Sequence, residues 1–283
     1  LARCATSIQL AAENAGIGEN DRDELVDYFL NGYNNNLNRL QTNLSELNQP
    51  ISDKYLTKPI SKAINKVSNY SSNQFMQDMI KNGSFILNDK ITSISTDIKT
   101  SVTLAVNNYL SLKKNTSLRV KDVAARIAGK GSLGKYRYIV LLGDPKQKIS
   151  DFILELKEAS QPSSTIAIGS LSGNQAQRVV QANKYFVSLS DPYLDTIKIN
   201  NIDFFIKQLN PDEKVDLSKM DKKSDFKEFL DTVAYVVARA NARSGKYFDI
   251  LKDFKQSQAN ISQFSKQYSK QVKQDFEAFK NNH

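Results

Sequence analysis

Two residue types are nearly missing from this chain of 283 residues: it has one cysteine, Cys4, and one histidine, His283. A lone cysteine excludes an internal disulfide and fits a reducing compartment, so a cytoplasmic location is expected. One Cys and one His at opposite ends leave no zinc-type ligand cluster. His283 closes the chain on a terminus expected to fray, which removes histidine-based nucleophilic or acid–base catalysis from the candidates. No stretch approaches the ~20 apolar residues of a membrane span. The opening LARCATSIQLAAENAG is too polar for a signal peptide; it lacks an initiator Met and reads as a helix already under way. The expectation is therefore a fragment, or a numbering that begins inside a longer protein. The net charge is +9, but the lysines are interleaved with acids and no five like charges run together. That favours a solvated basic surface over a nucleic-acid or membrane partner. A hydrophobic fraction of 40% is that of a folded chain.

What the chain does have is a dense stretch from Gly129 to Lys157, GKGSLGKYRYIVLLGDPKQKISDFILELK. The glycine-rich turn Gly129-Lys130-Gly131-Ser132-Leu133-Gly134 leads into Tyr136–Leu142, which is β-branched and aromatic. Glycines let a backbone approach phosphate closely, and a lysine on a neighbouring strand supplies charge. A dinucleotide fingerprint needs a helix opening at the last glycine. A strand follows instead, which suits the kinase type of loop, a hairpin tip lying over phosphates. In the next strand-like run, Asp151–Leu156, alternation puts Phe152, Leu154 and Leu156 on one face and Ile153, Glu155 and Lys157 on the other. The plainer alternatives stay open: a ligand-free hairpin turn with Ser132 as an ordinary turn residue, Lys157 as a strand-end lysine paired with Glu155 or Glu158, and Arg178 and Arg243 in helix-face salt bridges.

Around this stretch the periodicity predicts helices over residues 1–15 and from Asn20-Asp21, where Asp21 and Glu24 form a capping box. The stripe of the second is Leu25, Phe29, Tyr33, Leu37, Leu40 and Leu44. Further helices are expected over 59–80, 96–112, 173–188 (burying Phe186 and Val187), 224–242 (capped by Ser224) and 261–279. The last would pack through Ile261, Phe264, Tyr268, Val272, Phe276 and Phe279. A small hairpin is expected over 84–95, turning at Asn88-Asp89, with a strand over 120–127 and a second hairpin turning at Asn200-Asn201. Residues 1–116 read as a mainly helical region, 117–210 as a β-rich lobe with one helix, and 211–283 as helices that pack on the helical lobe.

The runs VKDVAARIAGKGSLGKYRYIVLLG, LELKEA, GNQAQRVVQAN, FFIKQL and ARANARSG, in this order and spacing, resemble the bacterial "domain of unknown function 2252" family. The resemblance covers nearly the whole chain, closely over 117–283 and loosely over 45–115. It implies an α+β, protein-kinase-like fold: a small antiparallel sheet with a Gly-rich hairpin, plus a mainly helical lobe. It also implies the nucleotide-binding portion of an ATP- and Mg²⁺-dependent phosphotransferase of unknown acceptor. Gly129, Gly131, Ser132 and Gly134 would line the phosphates, Lys157 would contact them, and Gln208 would offer backbone to a base. Glu155, Arg178, Asn241 and Arg243 are the supporting candidates. The family's GDxHxxN and acidic motifs, which would supply the base and metal ligands, precede the glycine loop and would lie before residue 1. Three positions depart from the pattern: Gln181 replaces Glu, Lys207 replaces Arg, and Asn241 replaces His. The helix after the lysine has no Asp or Glu, so a non-catalytic, pseudokinase-like interaction module is the alternative.

Overall fold

The computed structural model describes residues 1–129, 131, 133–146, 150–211 and 215–282. In chain order its helices are α1 (Ala2–Asn14), α2 (Glu19–Gln41), α3 (Lys58–Asn69), α4 (Ser72–Met79), α5 (Thr96–Leu112), α6 (Thr165–Ile168), α7 (Gln175–Phe186), α8 (Lys223–Ala242) and α9 (Tyr247–Asn282). The strands are β1 (Ile80–Lys81), β2 (Ser84–Phe85), β3 (Ile91–Thr92), β4 (Arg119–Arg126), β5 (Arg137–Gly143), β6 (Phe152–Glu158), β7 (Asp195–Ile199) and β8 (Ile202–Gln208). The chain is α+β and divides into two compact units: residues 1–66, 185–189 and 213–283, and residues 67–184 and 190–212. Among the described residues no helix is long and apolar enough to cross a membrane.

The first unit is helical, built on α1, α2, α8 and α9. The spacing of three and four in α2 puts Leu25, Phe29, Tyr33, Leu37 and Leu40 on one face, all fully buried. Each such side chain stabilises by about 1.5–3 kcal/mol. α2 meets α8 closely at Gly32, where a Cβ would lie 3.1 Å from that of Ala234. Leu44 falls beyond the end of α2 and is exposed. α2 starts at Glu19 after Gly18, so the expected box does not form; Asp21 and Glu24 instead both accept from Lys223 on α8. α8 starts after Lys222, whose N–H donates to Asp225, and Ser224 lies inside the helix. Glu46 accepts from Arg39 and from the Tyr235 hydroxyl, bonds that carry its carboxyl down to about 2 despite partial burial.

α9 differs most from expectation. It is 36 residues long and turns Ser265 and Ser269 inward, while Phe264, Tyr268, Phe276 and Phe279 are exposed. Small residues let α9 approach the alanine-rich α1, and the serine hydroxyls donate to the carbonyls of Ser262 and Lys266. Ion pairs fix its rotation: Lys266 reaches Asp23 at 2.7 Å and Lys273 reaches Glu13 at 2.7 Å.

The second unit carries a six-stranded antiparallel sheet, in the order β3-β4-β5-β6-β8-β7. This unit begins at Val67 rather than at 117, because α5 packs on β4 and β7. One sheet face buries Val123, Val140, Leu142, Leu154, Leu156 and Ile206 with Val102, Val106 and Leu110 of α5. The opposite face buries Ala124, Ile139, Leu141, Ile153 and Leu209, with Phe75, Met76 and Met79 packed against them. Three expectations change here. The 59–80 helix is two helices, since the Ser71 side chain accepts from the Gln74 N–H and starts α4. β2 pairs with β1 through the Asn82-Gly83 turn, both residues at positive φ, and β3 pairs with β4, so residues 84–95 are not one hairpin. Phe186 and Val187 are exposed. The Asn200-Asn201 turn forms as read, with φ of 48° and 65°, values that asparagine tolerates better than most residues.

Candidate functional site

β4, β5 and β6 are consecutive antiparallel neighbours, and the glycine segment is the connection between β4 and β5. Register then decides which side chains meet. Arg137 lies opposite Lys157, Ile139 opposite both Ala124 and Glu155, and Glu155 opposite Lys207. Directly opposed residues share a face, so Arg126, Arg137, Glu155, Lys157 and Lys207 all stand beside the apolar patch of Ile139 and Ile153.

Glu155 is the centre of this group and is 1% exposed. Its Oε1 accepts from Arg126 Nη1 at 2.6 Å and from Arg137 Nε at 2.7 Å, with a further bond from Arg137 Nη2. Lys157 Nζ lies 3.2 Å from Oε2. Burial pushes the Glu155 carboxyl up, but Lys157, Arg137 and Arg126 outweigh it and hold the group below its ordinary value. The Lys157 ammonium is pushed down chiefly by burial, which together with the weaker repulsion of Arg137 and Lys207 outweighs the pull of Glu155. Three cations therefore hold one carboxylate, with Lys207 across from it in the register, and Lys157, 28% exposed, is the most exposed of the three. Uncompensated positive charge of this kind favours an anion.

The glycine connection is tied to the same group. Arg137 Nη1 donates to the Ala128 carbonyl, and the Tyr136 N–H donates to Glu158 at 2.9 Å. Gly129 and Gly134 have φ of +79° and +80°, backbone that a side chain would strain. Gly131 has open space around its Cβ direction. Ser132 lies outside the described residues.

The other predicted residues stand elsewhere. The Gln208 N–H donates to Asp191 at 2.8 Å and is not free for a base. Arg178 bonds to Gln175 and to the Ser160 carbonyl, tying its own loop. Asn241 and Arg243 belong to the helical unit. Asn241 donates to the Tyr33 hydroxyl, and Arg243 to the carbonyls of Leu47 and Tyr185 and to the Asn48 side chain. Each makes a structural bond. Sequence reasoning missed Arg126 and Arg137. The signal was present in the alternation of β5, which places Arg137 on the face of Ile139 and Leu141.

An α+β protein, with a cation cluster beside a glycine hairpin on an antiparallel sheet, is the class that these features define. The chain belongs to the DUF2252 family, described as an "uncharacterized protein conserved in bacteria", whose model matches residues 1–282. Searches of curated proteins and of solved structures each return no match.

Proposed function

We propose that this cluster binds the phosphates of a nucleotide, ATP carrying its own Mg²⁺, as the nucleotide-binding portion of a kinase-like phosphotransferase. One observation carries the reading: Arg126, Arg137 and Lys157 converge on a single carboxylate beside the glycine hairpin, with Lys207 opposite it in the strand register. The arrangement parallels the general phosphoryl-transfer template, in which a glycine loop joins the first two strands, a lysine stands on the third and a helix follows. Here these are β4, β5, β6 and α7. The donor chemistry fits a polyphosphate: a half-buried ammonium for point charge, and backbone N–H groups of the glycine turn for hydrogen bonds. Lys157 would hold the phosphate chain, and the loop would orient it and exclude water. Among the described residues no group of three His, Cys, Asp or Glu side chains could hold a metal ion.

Calorimetric titration with ATP, ADP, AMP and adenosine tests the reading. Affinity should fall with each phosphate removed; equal affinity for ATP and adenosine would refute a phosphate site. The absence of any acid from α7 favours a second reading, a non-catalytic module that binds nucleotide without turnover. ATP binding without hydrolysis or transfer by the whole protein would select it.

A further inference from the structure

A lysine that contacts phosphate has to be aimed, and in the general kinase template a glutamate from the helix after the lysine strand does so. α7 has nothing to offer for that purpose: its side chains include Gln175, Gln177, Gln181 and Asn183 but no Asp or Glu. A carboxylate is present, however, two residues before the lysine on the same strand. Residues i and i+2 of a strand project from the same face about 7 Å apart, and the Glu155 and Lys157 side chains close to 3.2 Å across that interval.

Glu155 is poorly suited to a merely structural role. A carboxylate at 1% exposure carries a large desolvation cost. An apolar residue would continue the patch of Ile139, Leu141 and Ile153 that it adjoins. The cost is met because Arg126 and Arg137 grip one oxygen and leave the other to Lys157. The two arginines fix the carboxylate, and the carboxylate fixes the ammonium.

We propose that Glu155 is the positioning residue of the phosphate site, holding Lys157 toward the nucleotide from within the strand itself. The site is then assembled whenever the sheet is folded and does not wait on the placement of α7. This rests on the phosphate-site reading given above. Glu155 touches no phosphate and acts only through Lys157.

The test uses Glu155→Gln, which keeps an oxygen for the arginines and removes the charge, and Gln181→Ala on the exposed side of α7. Glu155→Gln is expected to weaken ATP binding at least about tenfold, and Gln181→Ala to leave it within about twofold. Scaffolding alone would not move a second readout, the alkaline limb of the pH profile. The charged groups acting on Lys157 are Glu155 on its own strand, Arg137 on β5 and Lys207 on β8, and among them only Glu155 favours the charged lysine. Lys157 is protonated below its own pKa, so its contribution to binding is lost as pH rises through that value. With Glu155 neutralised, the loss should set in at lower pH. If Glu155→Gln does not fold, Glu155→Asp keeps the charge and should show a partial loss of affinity. Unchanged affinity and an unchanged alkaline limb in Glu155→Gln, or equal losses in Gln181→Ala, would overturn the proposal. The Lys157 side-chain NMR titration without nucleotide separates the two levels. If it shifts in Glu155→Gln while the wild-type protein binds no ATP, the nucleotide reading has failed and the hold of Glu155 on Lys157 has not. If it does not shift, the positioning role fails whatever ATP does.

Discussion

Lys157→Met is expected to weaken ATP binding about 10- to 100-fold, the value of one charge-assisted hydrogen bond of about 1.5–3 kcal/mol. The substitution keeps most of the side-chain volume and removes the ammonium. The remaining partners of Glu155 are Arg126 and Arg137, so the carboxylate stays paired and the sheet should fold. The loss should be greatest for ATP and smallest for AMP, because the ammonium acts on charge. Titration of the folded variant measures this directly, and affinities equal to wild type would remove Lys157 from the site.

Arg137→Met is expected to destabilise the sheet unit by about 3 kcal/mol, the lower end of the cost of breaking a buried ion pair. The unfolding temperature should fall by roughly 10 °C. The arginine makes two bonds to a carboxylate that is 1% exposed and a third to the Ala128 carbonyl at the start of the glycine turn. Methionine fills the stem of the side chain but satisfies neither oxygen. The expected loss therefore exceeds that of Lys157→Met, since Lys157 is the more exposed partner. A thermal scan of both variants should rank them in that order. The pairing also sets an acid limit. The Glu155 carboxyl is held below its ordinary value, so its contribution is complete above the unfolded-state pKa and is lost as pH falls through the folded one.

Much of this fold was legible because period and turn chemistry are local. The stripe of α2 and the bounds of α5 follow from apolar spacing. The β7–β8 hairpin follows from two asparagines that accept positive φ. The face assignments in β6 follow from alternation. Where the reading failed, a distant partner decided. The aromatic stripe of α9 looks like a packing face, yet Lys266 and Lys273 reach carboxylates on α2 and α1 and turn the helix the other way. β3 pairs with β4, far along the chain, and not within its expected hairpin, a partner that no local turn signal names. In the site, Glu155 and Lys157 were visible as neighbours on one strand. Arg126 and Arg137 were missed: alternation in β5 already put Arg137 on the face of Ile139, but that this face meets Glu155 depends on register between strands. Arg178 and Arg243 were candidates as anion contacts and Asn241 as the position where the resembled family has His; each makes hydrogen bonds within its own unit.

The most direct measurement is an NMR titration that follows the backbone amide resonances of Gly129, Gly131 and Gly134. The account predicts that ATP moves these three and the Lys157 side chain together, and that adenosine at the same concentration leaves them in place. Amides of the glycine turn that ignore ATP, while resonances elsewhere respond, would contradict it.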